Sequence, residues 1–505
     1  MSTISPAPSK SHAPYLYLAL TALALLISVS LLQFWRLETK WALSATLALL
    51  LPFILMVVPD VRRFLLSLLI LTLPLNADYN LFLQTGLISG ARGLNVTIFD
   101  FILIVAVGVW LVTSARSKQV GTIRFYPKIS WPTLGLLAMM AVSTLAAQNK
   151  LWSLFDIFMY AKVYVFFLYL ANNLQQRRDI QLVVQMFFIG VILETGLSLW
   201  QLNQWPGLEN LKLLGISGDP TTHIKLDYFS TTRPGGTMES CNHLARFFAY
   251  LLPLAYILSL RGETPAARWF ARVTAVVGTV GIIYTLSRST WIALIPSLLI
   301  LFPLMLSRRL LTLRIIRNLA LMMVALIIVL LSFRTLIWDR IVSYDFGSGK
   351  TRLTSAQAAL RMIEAHPVIG VGINNYGNNA KYFYDANEPR SKFWVVHNSF
   401  LLFAAEIGLI GFIFYLWFVL AGVSSARQAS RGRSAYLNAV AIGVLSSWVG
   451  FFISAMADKS YKEFYVLLLT MWALVAVTEA IDRLNRQYEQ TALKLLQDKS
   501  VLYEF

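Results

Sequence analysis

Arg288 sits in Ser287-Arg288-Ser289, in a tight turn between two apolar runs. An arginine near the centre of a membrane span costs on the order of 2.5–3.5 kcal/mol on insertion scales. Its serine flanks can hydrogen-bond a phosphate or the backbone. Two readings fit equally: an anion site, or an interfacial arginine reaching up to lipid phosphates. Arg233 opens Arg233-Pro234-Gly235-Gly236-Thr237, where proline and glycine fix the backbone and let a ligand come close. An exposed loop arginine also satisfies that pattern. His397 stands where a long polar segment returns to apolar sequence. It could take up a proton near neutral pH, donate to a phosphate when charged, or be purely structural. Asn398 beside it could orient a substrate or cap the next helix.

The other polar residues narrow the chemistry. The carboxylates assigned below to the same face are Glu209, Asp219, Asp227, Glu239, Asp339, Asp345, Glu364, Asp385, Glu388 and Asp458, and they form no D-x-D pair of the kind that holds a metal-nucleotide. Glu406 is placed to anchor a neighbouring element, and Asp458, Lys459, Lys462 and Glu463 to pair with one another. The single cysteine, Cys241, excludes an intramolecular disulfide and is read as structural. No metal site and no cofactor is expected. Arginines with one histidine suit a diphosphate substrate. Guanidinium matches phosphate oxygens in pairs and stabilises charge growing on a leaving diphosphate.

The elements that must position these groups are membrane helices. Apolar residues make up 57% of the chain and charged residues 13%, and mean hydropathy is +0.63. Runs of about 17–22 apolar residues recur throughout, each able to cross a hydrocarbon core of about 30 Å. The fold class is an all-α polytopic membrane protein with about fourteen transmembrane helices. These run near 15–34, 41–58, 64–75, 96–114, 131–147, 159–171, 181–203, 243–260, 272–286, 289–306, 318–334, 399–421, 435–455 and 464–481. The run from Tyr15 to Phe34 is read as a retained span. The net charge of +18 reflects basic residues beside spans and does not imply nucleic acid. Arg62-Arg63, Arg124, Arg177-Arg178, Arg268, Arg309, Arg431 and Arg483 fall on one side if both termini are cytoplasmic. Arg233, Arg288 and His397 then face outward.

The expected organisation is additional N-terminal spans over 1–60, a membrane bundle over 61–334 with an outer loop at 204–242, a large outer loop over 335–398, C-terminal spans over 399–481 and a cytoplasmic tail over 482–505. Within the large loop, Leu353, Ala356, Leu360 and Ile363 make an apolar stripe on a helix from Thr351 to Ala365. Pro367, Gly370 and Gly372 follow it. The stripe could lie on the bilayer surface or on the bundle.

Taken together, Ser287-Arg288-Ser289, Arg233-Pro-Gly-Gly-Thr before Asn242, and the series Arg352, Ala359, His366-Pro367-Val-Ile-Gly370-Val-Gly372, Asn375, His397-Asn398, Leu401, Glu406 and Gly408 resemble the O-antigen ligase/polymerase superfamily of bacterial membrane glycosyltransferases. The resemblance runs over roughly residues 160–480. It implies a GT-C-like helical enzyme of the bacterial inner membrane, working on the periplasmic side without a metal. Its donor would be a glycan on undecaprenyl diphosphate. The acceptor would be a glycan, lipid A core or a protein, and a chain-length regulator is a further expected partner. Arg233 and Arg288 would hold the diphosphate, and His397 would act on the acceptor hydroxyl or assist the leaving group. Arg352, Asn398, Ser287, Ser289 and Asn375 would contact substrate. Polymerisation of O-antigen or exopolysaccharide repeats is preferred over ligation to lipid A core. A transporter or flippase is the alternative of a different class. It would favour midplane charges and inverted repeats, whereas here the candidate charges gather at one face.

Overall fold

The computed structural model describes residues 50–501 apart from 52, 76–77, 84–89, 117–122, 203–221, 226–229, 239, 309, 311, 343–347, 386–394, 460–461 and 463. The first expected span and most of the second lie outside the described residues, as do Glu209, Asp219, Asp227, Glu239, Asp345, Glu388 and Glu463.

The chain is a multi-pass helical bundle. Its elements are α1 (Val61–Thr72), β1 (Asp78–Leu81), β2 (Leu94–Thr97), α2 (Ile98–Arg116), α3 (Pro127–Ser143), α4 (Lys150–Asn173), α5 (Arg177–Leu202), β3 (Thr222–Lys225), β4 (Ser230–Arg233), α6 (Cys241–Arg261), α7 (Pro265–Thr285), α8 (Arg288–Leu299), α9 (Leu301–Ser307), α10 (Leu313–Ser332), α11 (Arg334–Val342), α12 (Ser348–Ala365), α13 (Tyr376–Ala380), α14 (Ser399–Ala429), α15 (Ala435–Ala457) and α16 (Tyr465–Val501). Among the described residues ten helical stretches are long and apolar enough to cross a membrane, with α8 and α9 forming one of them. The expected spans at 64–75 and 131–147 correspond to α1 and α3, which are shorter, at 12 and 17 residues. Two small antiparallel ladders, β1–β2 and β3–β4, were not anticipated from hydropathy.

Burial ranks the helices. The apolar windows of α6, α15 and α16 are 89%, 72% and 94% buried, so these three form the centre. Helix α10 is only 6% buried and lies at the periphery. Helix starts are fixed locally: Asn149 accepts from Leu151 N and Trp152 N at the head of α4, and Asn398 accepts from Phe400 N and Leu401 N at the head of α14. Cys241 is buried at the start of α6, as a structural residue would be.

Helix α14 is broken two turns in. Gly408 has φ 69° and ψ 176°, a region open essentially to glycine alone. A break at membrane depth requires other partners for the freed backbone groups. The turn after α12 supplies them. Val371 N donates to Ala405 O, Gly372 N to Glu406 O, and Leu409 N to Pro367 O at 2.7 Å. Gly370, at φ +69°, comes so close that an added Cβ would lie 2.4 Å from the Glu406 carbonyl. The Pro/Gly sequence is thus the plug of a broken helix as well as the stop of α12.

The stripe on α12 is corrected. Ala356 and Ile363 of the stripe pack against the core, but the fully buried face is Ser355, Ala358, Ala359 and Met362, and Leu353 and Leu360 are 61% and 49% exposed. Small residues let α12 lie close against α14. Periodicity located an apolar face, but the small buried face beside it carries the packing.

Gly408→Ala should destabilise the protein, since its Cβ would meet Val368 O at 2.2 Å. The disallowed backbone alone costs about 1–3 kcal/mol. Thermal unfolding in detergent should show a lower midpoint; an unchanged midpoint would contradict the plugged break.

Candidate functional site

The site is built where four segments converge: the end of β4, the start of α6, the α7–α8 hairpin and the contact of the end of α15 with the head of α14. Arg233 ends β4, 8% exposed. Its Nε donates to Thr285 O at 2.6 Å and its Nη2 to Asn242 Oδ1 at 2.9 Å. Ser287 Oγ reaches the same Asn242 Oδ1 at 3.0 Å and lies 3.0 Å from Thr290 Oγ1. One amide oxygen at the head of α6 therefore joins the two arginine motifs.

The loop after Arg233 is held from behind. Thr237 Oγ1 donates to Glu194 Oε1 at 2.6 Å and Thr237 N to Glu194 Oε2 at 3.0 Å. Gln201 exchanges two hydrogen bonds of 2.9 Å with the backbone of Gly236. The hairpin is held too. Leu286 takes a left-handed conformation at φ 51°, and its carbonyl accepts from Arg340 Nε at 3.0 Å. Helix α8 begins at Arg288, so the positive end of its dipole adds to the arginine charge.

Arg288 is half-buried and acts electrostatically on Arg233. Burial draws the Arg233 guanidinium below its ordinary pKa, and the positive charges of Arg288 and Arg246 push in the same direction. Among the described residues, Arg233 donates only to neutral oxygens. Positive charge held among neutral acceptors is suited to an incoming anion.

Arg246 is the residue that sequence reasoning missed. It is fully buried within α6. Its Nη1 donates to Asn242 O at 3.2 Å, and its Nη2 pairs with Asp458 Oδ2 at 2.9 Å. The main-chain oxygen of Asp458 accepts from Ser399 Oγ at 2.8 Å. Ser399 follows Asn398 and His397 directly. A chain of contacts therefore runs from Arg233 through Asn242, Arg246 and Asp458 to the head of α14. The available signal was an arginine four residues after Asn242 inside an apolar run.

The remaining predicted residues separate. His397 is half-buried in the turn before α14. Asn398 spends its side-chain oxygen on the helix cap. Ser289 is half-buried beside Arg288, and Arg352 is exposed on α12. Asn375 is buried, and its amide bonds Asn149 N, Asn149 O, Ser153 Oγ and Ile373 O. It fastens the loop to α4, and no described contact joins it to the arginines.

Behind the loop is a second buried cluster. Lys462 Nζ lies 2.7 Å from Glu406 Oε2 and 2.9 Å from Asp156 Oδ2. Glu406 Oε1 accepts from Tyr376 N at 3.1 Å. Glu406 does anchor its neighbours. Asp458 reaches Arg246 on α6, and Lys462 reaches Asp156 on α4 and Glu406 on α14.

Fold and site define a multi-pass membrane protein with an arginine cluster at one end of its bundle. Residues 273–416 match the family model Wzy_C, described as O-Antigen ligase. This stretch is similar to that O-antigen ligase domain, and the match supports the O-antigen ligase/polymerase superfamily for the chain. The match contains Arg288, Arg352, Asn375, His397 and the break in α14; Arg233, Arg246 and Asp458 lie beyond it. No curated protein matches the chain.

Arg246→Ala removes one half of a buried ion pair. The expected cost is about 3–5 kcal/mol, seen as a lower unfolding midpoint in detergent. Wild-type stability in this variant would show that the pair does not hold α6 to α15.

Proposed function

We propose that the protein is an inverting, metal-independent glycosyltransferase of the bacterial inner membrane. It takes a glycan from undecaprenyl diphosphate and passes it to an acceptor glycan on the periplasmic side, polymerising surface-polysaccharide or O-antigen repeats. The observation that carries this reading is the convergence of Arg233 and Ser287, the neighbour of Arg288, on Asn242, with a contact chain leading to the segment of His397. The family match over the hairpin, the large loop and the head of α14 supports it.

In this mechanism Arg233 and Arg288 bind the diphosphate. His397 takes the proton of the acceptor hydroxyl. The hydroxyl oxygen attacks the anomeric carbon from the face opposite the diphosphate, and the bond from that carbon to the diphosphate oxygen breaks. The configuration inverts, and the new negative charge on the diphosphate is met by the two guanidinium groups. Ser287, Ser289, Arg352 and Asn398 line the approach of substrate, while Asn375 acts by holding the loop in place. Ligation to lipid A core is the second reading, favoured by the description of the matched family.

Arg288→Ala and His397→Ala should each abolish detectable product while the protein remains in the membrane. Loss of a charge donor costs roughly 2.7–4 kcal/mol in comparable sites. Loss of a general base costs on the order of 10²–10⁴ in rate. Wild-type glycan levels in both variants would overturn the assignment. Deleting the gene and resolving the glycans by gel separates the two acceptors. Polymerase loss leaves single capped units. Ligase loss removes all lipid-A-attached chains while lipid-linked polymer persists. An unchanged glycan profile would contradict both.

A further inference from the structure

At the end of the bundle opposite the arginine cluster lies a cavity of about 580 Å³. Helix α5 runs the distance between the two regions: it begins at Arg177, two residues after the cavity-lining Gln175, and near its other end Gln201 bonds the backbone of Gly236 in the loop after Arg233. At 26 residues α5 is about 39 Å long, so the two regions lie at opposite membrane faces. The cavity is walled by Leu65 and Trp110 on its apolar side, and Arg62, Arg124 and Arg483 also line it.

Among the described residues the lining contains three arginines and no carboxylate. Arg62 is paired with Asp179 at 2.7 Å. Arg483 donates to the Tyr126 hydroxyl and to the carbonyls of Ala171 and Leu174, all neutral acceptors. Its charge is not cancelled by an ion pair among the described residues. Arg124 is exposed at the rim, and its backbone is fastened to Asn172 by hydrogen bonds of 2.8 and 3.1 Å. A basic pocket between membrane helices at headgroup depth, with an aromatic and apolar wall, has the chemistry to hold a lipid phosphate.

We infer that this cavity binds the phosphate of an anionic membrane lipid in the leaflet opposite the arginine cluster. The headgroup would meet Arg124 and Arg483, and the acyl chains would follow the wall at Trp110 and Leu65. The lipid would tie α1, α2, α4 and α16 together at their common end. This site stands apart from the glycosyltransferase reading and does not depend on it.

The test uses the full-length protein, delipidated in detergent, with native mass spectrometry after adding phosphatidylglycerol, phosphatidylethanolamine or soluble glycerol 3-phosphate. Phosphatidylglycerol should be retained over phosphatidylethanolamine. Arg124→Ala should lower that retention roughly tenfold, as loss of one charge-assisted hydrogen bond would. Arg178→Ala, which removes an equal charge outside the cavity, should leave it unchanged. Gln487→Trp, filling the rim from an exposed position, should lower retention with all three arginines in place. Equal losses in the Arg124 and Arg178 variants, no loss in either, or retention unaffected by Gln487→Trp would overturn the site. Displacement of the lipid by glycerol 3-phosphate would overturn the lipid as its occupant.

Discussion

Arg246 is a guanidinium buried in the most enclosed region of a membrane bundle, and the structure around the candidate site follows from satisfying it. A charge at that depth is tolerated only when it is paired and hydrogen-bonded. Asp458 at the end of α15 supplies the pair, and the carbonyl of Asn242 supplies a hydrogen bond. Asn242 then has its side-chain oxygen available for Arg233 and Ser287. Asp458 has its carbonyl available for Ser399. One ion pair sets the relative positions of β4, the α7–α8 hairpin and the head of α14.

The second constraint is the break at Gly408. An unbroken α14 would have no freed backbone groups for the large loop to meet. With the break, the Pro367–Gly372 turn docks into it, and Glu406 turns to Lys462 and Tyr376 N. The loop becomes part of the bundle, and the turn carrying His397 is fixed between that dock and the cap of α14. The two constraints share α14, so a change at either one reaches the other through eight to ten residues of helix.

Much of this was legible in the sequence for physical reasons. Long apolar runs with basic flanks can only be spans, so the bundle was readable, and each described helix of span length lies on an expected run. The two arginine motifs were readable from their neighbours, serines that can bond an anion beside Arg288 and the proline and glycines after Arg233 that let a ligand come close. Arg246 was not, because its partner Asp458 is distant in the chain, and an isolated arginine gives no sign of which helix will meet it. The buried face of α12 was also hidden. Hydropathy favours Leu353 and Leu360, whereas close packing favoured Ala358, Ala359 and Ser355. Asn375 read as a polar residue available for substrate, but backbone groups near Asn149 and Ile373 take up its amide, and sequence spacing does not reveal such long-range bonds.

The central claim is that Arg233 and Arg288 act as one phosphate-binding unit. A double-mutant cycle on binding of undecaprenyl diphosphate to the purified protein tests it most directly, using Arg233→Ala, Arg288→Ala and the double variant. If both arginines grip one diphosphate, the two losses will not add, and the coupling will fall within about 0.5–3 kcal/mol. Strictly additive losses, or binding unaffected by either substitution, would contradict the account.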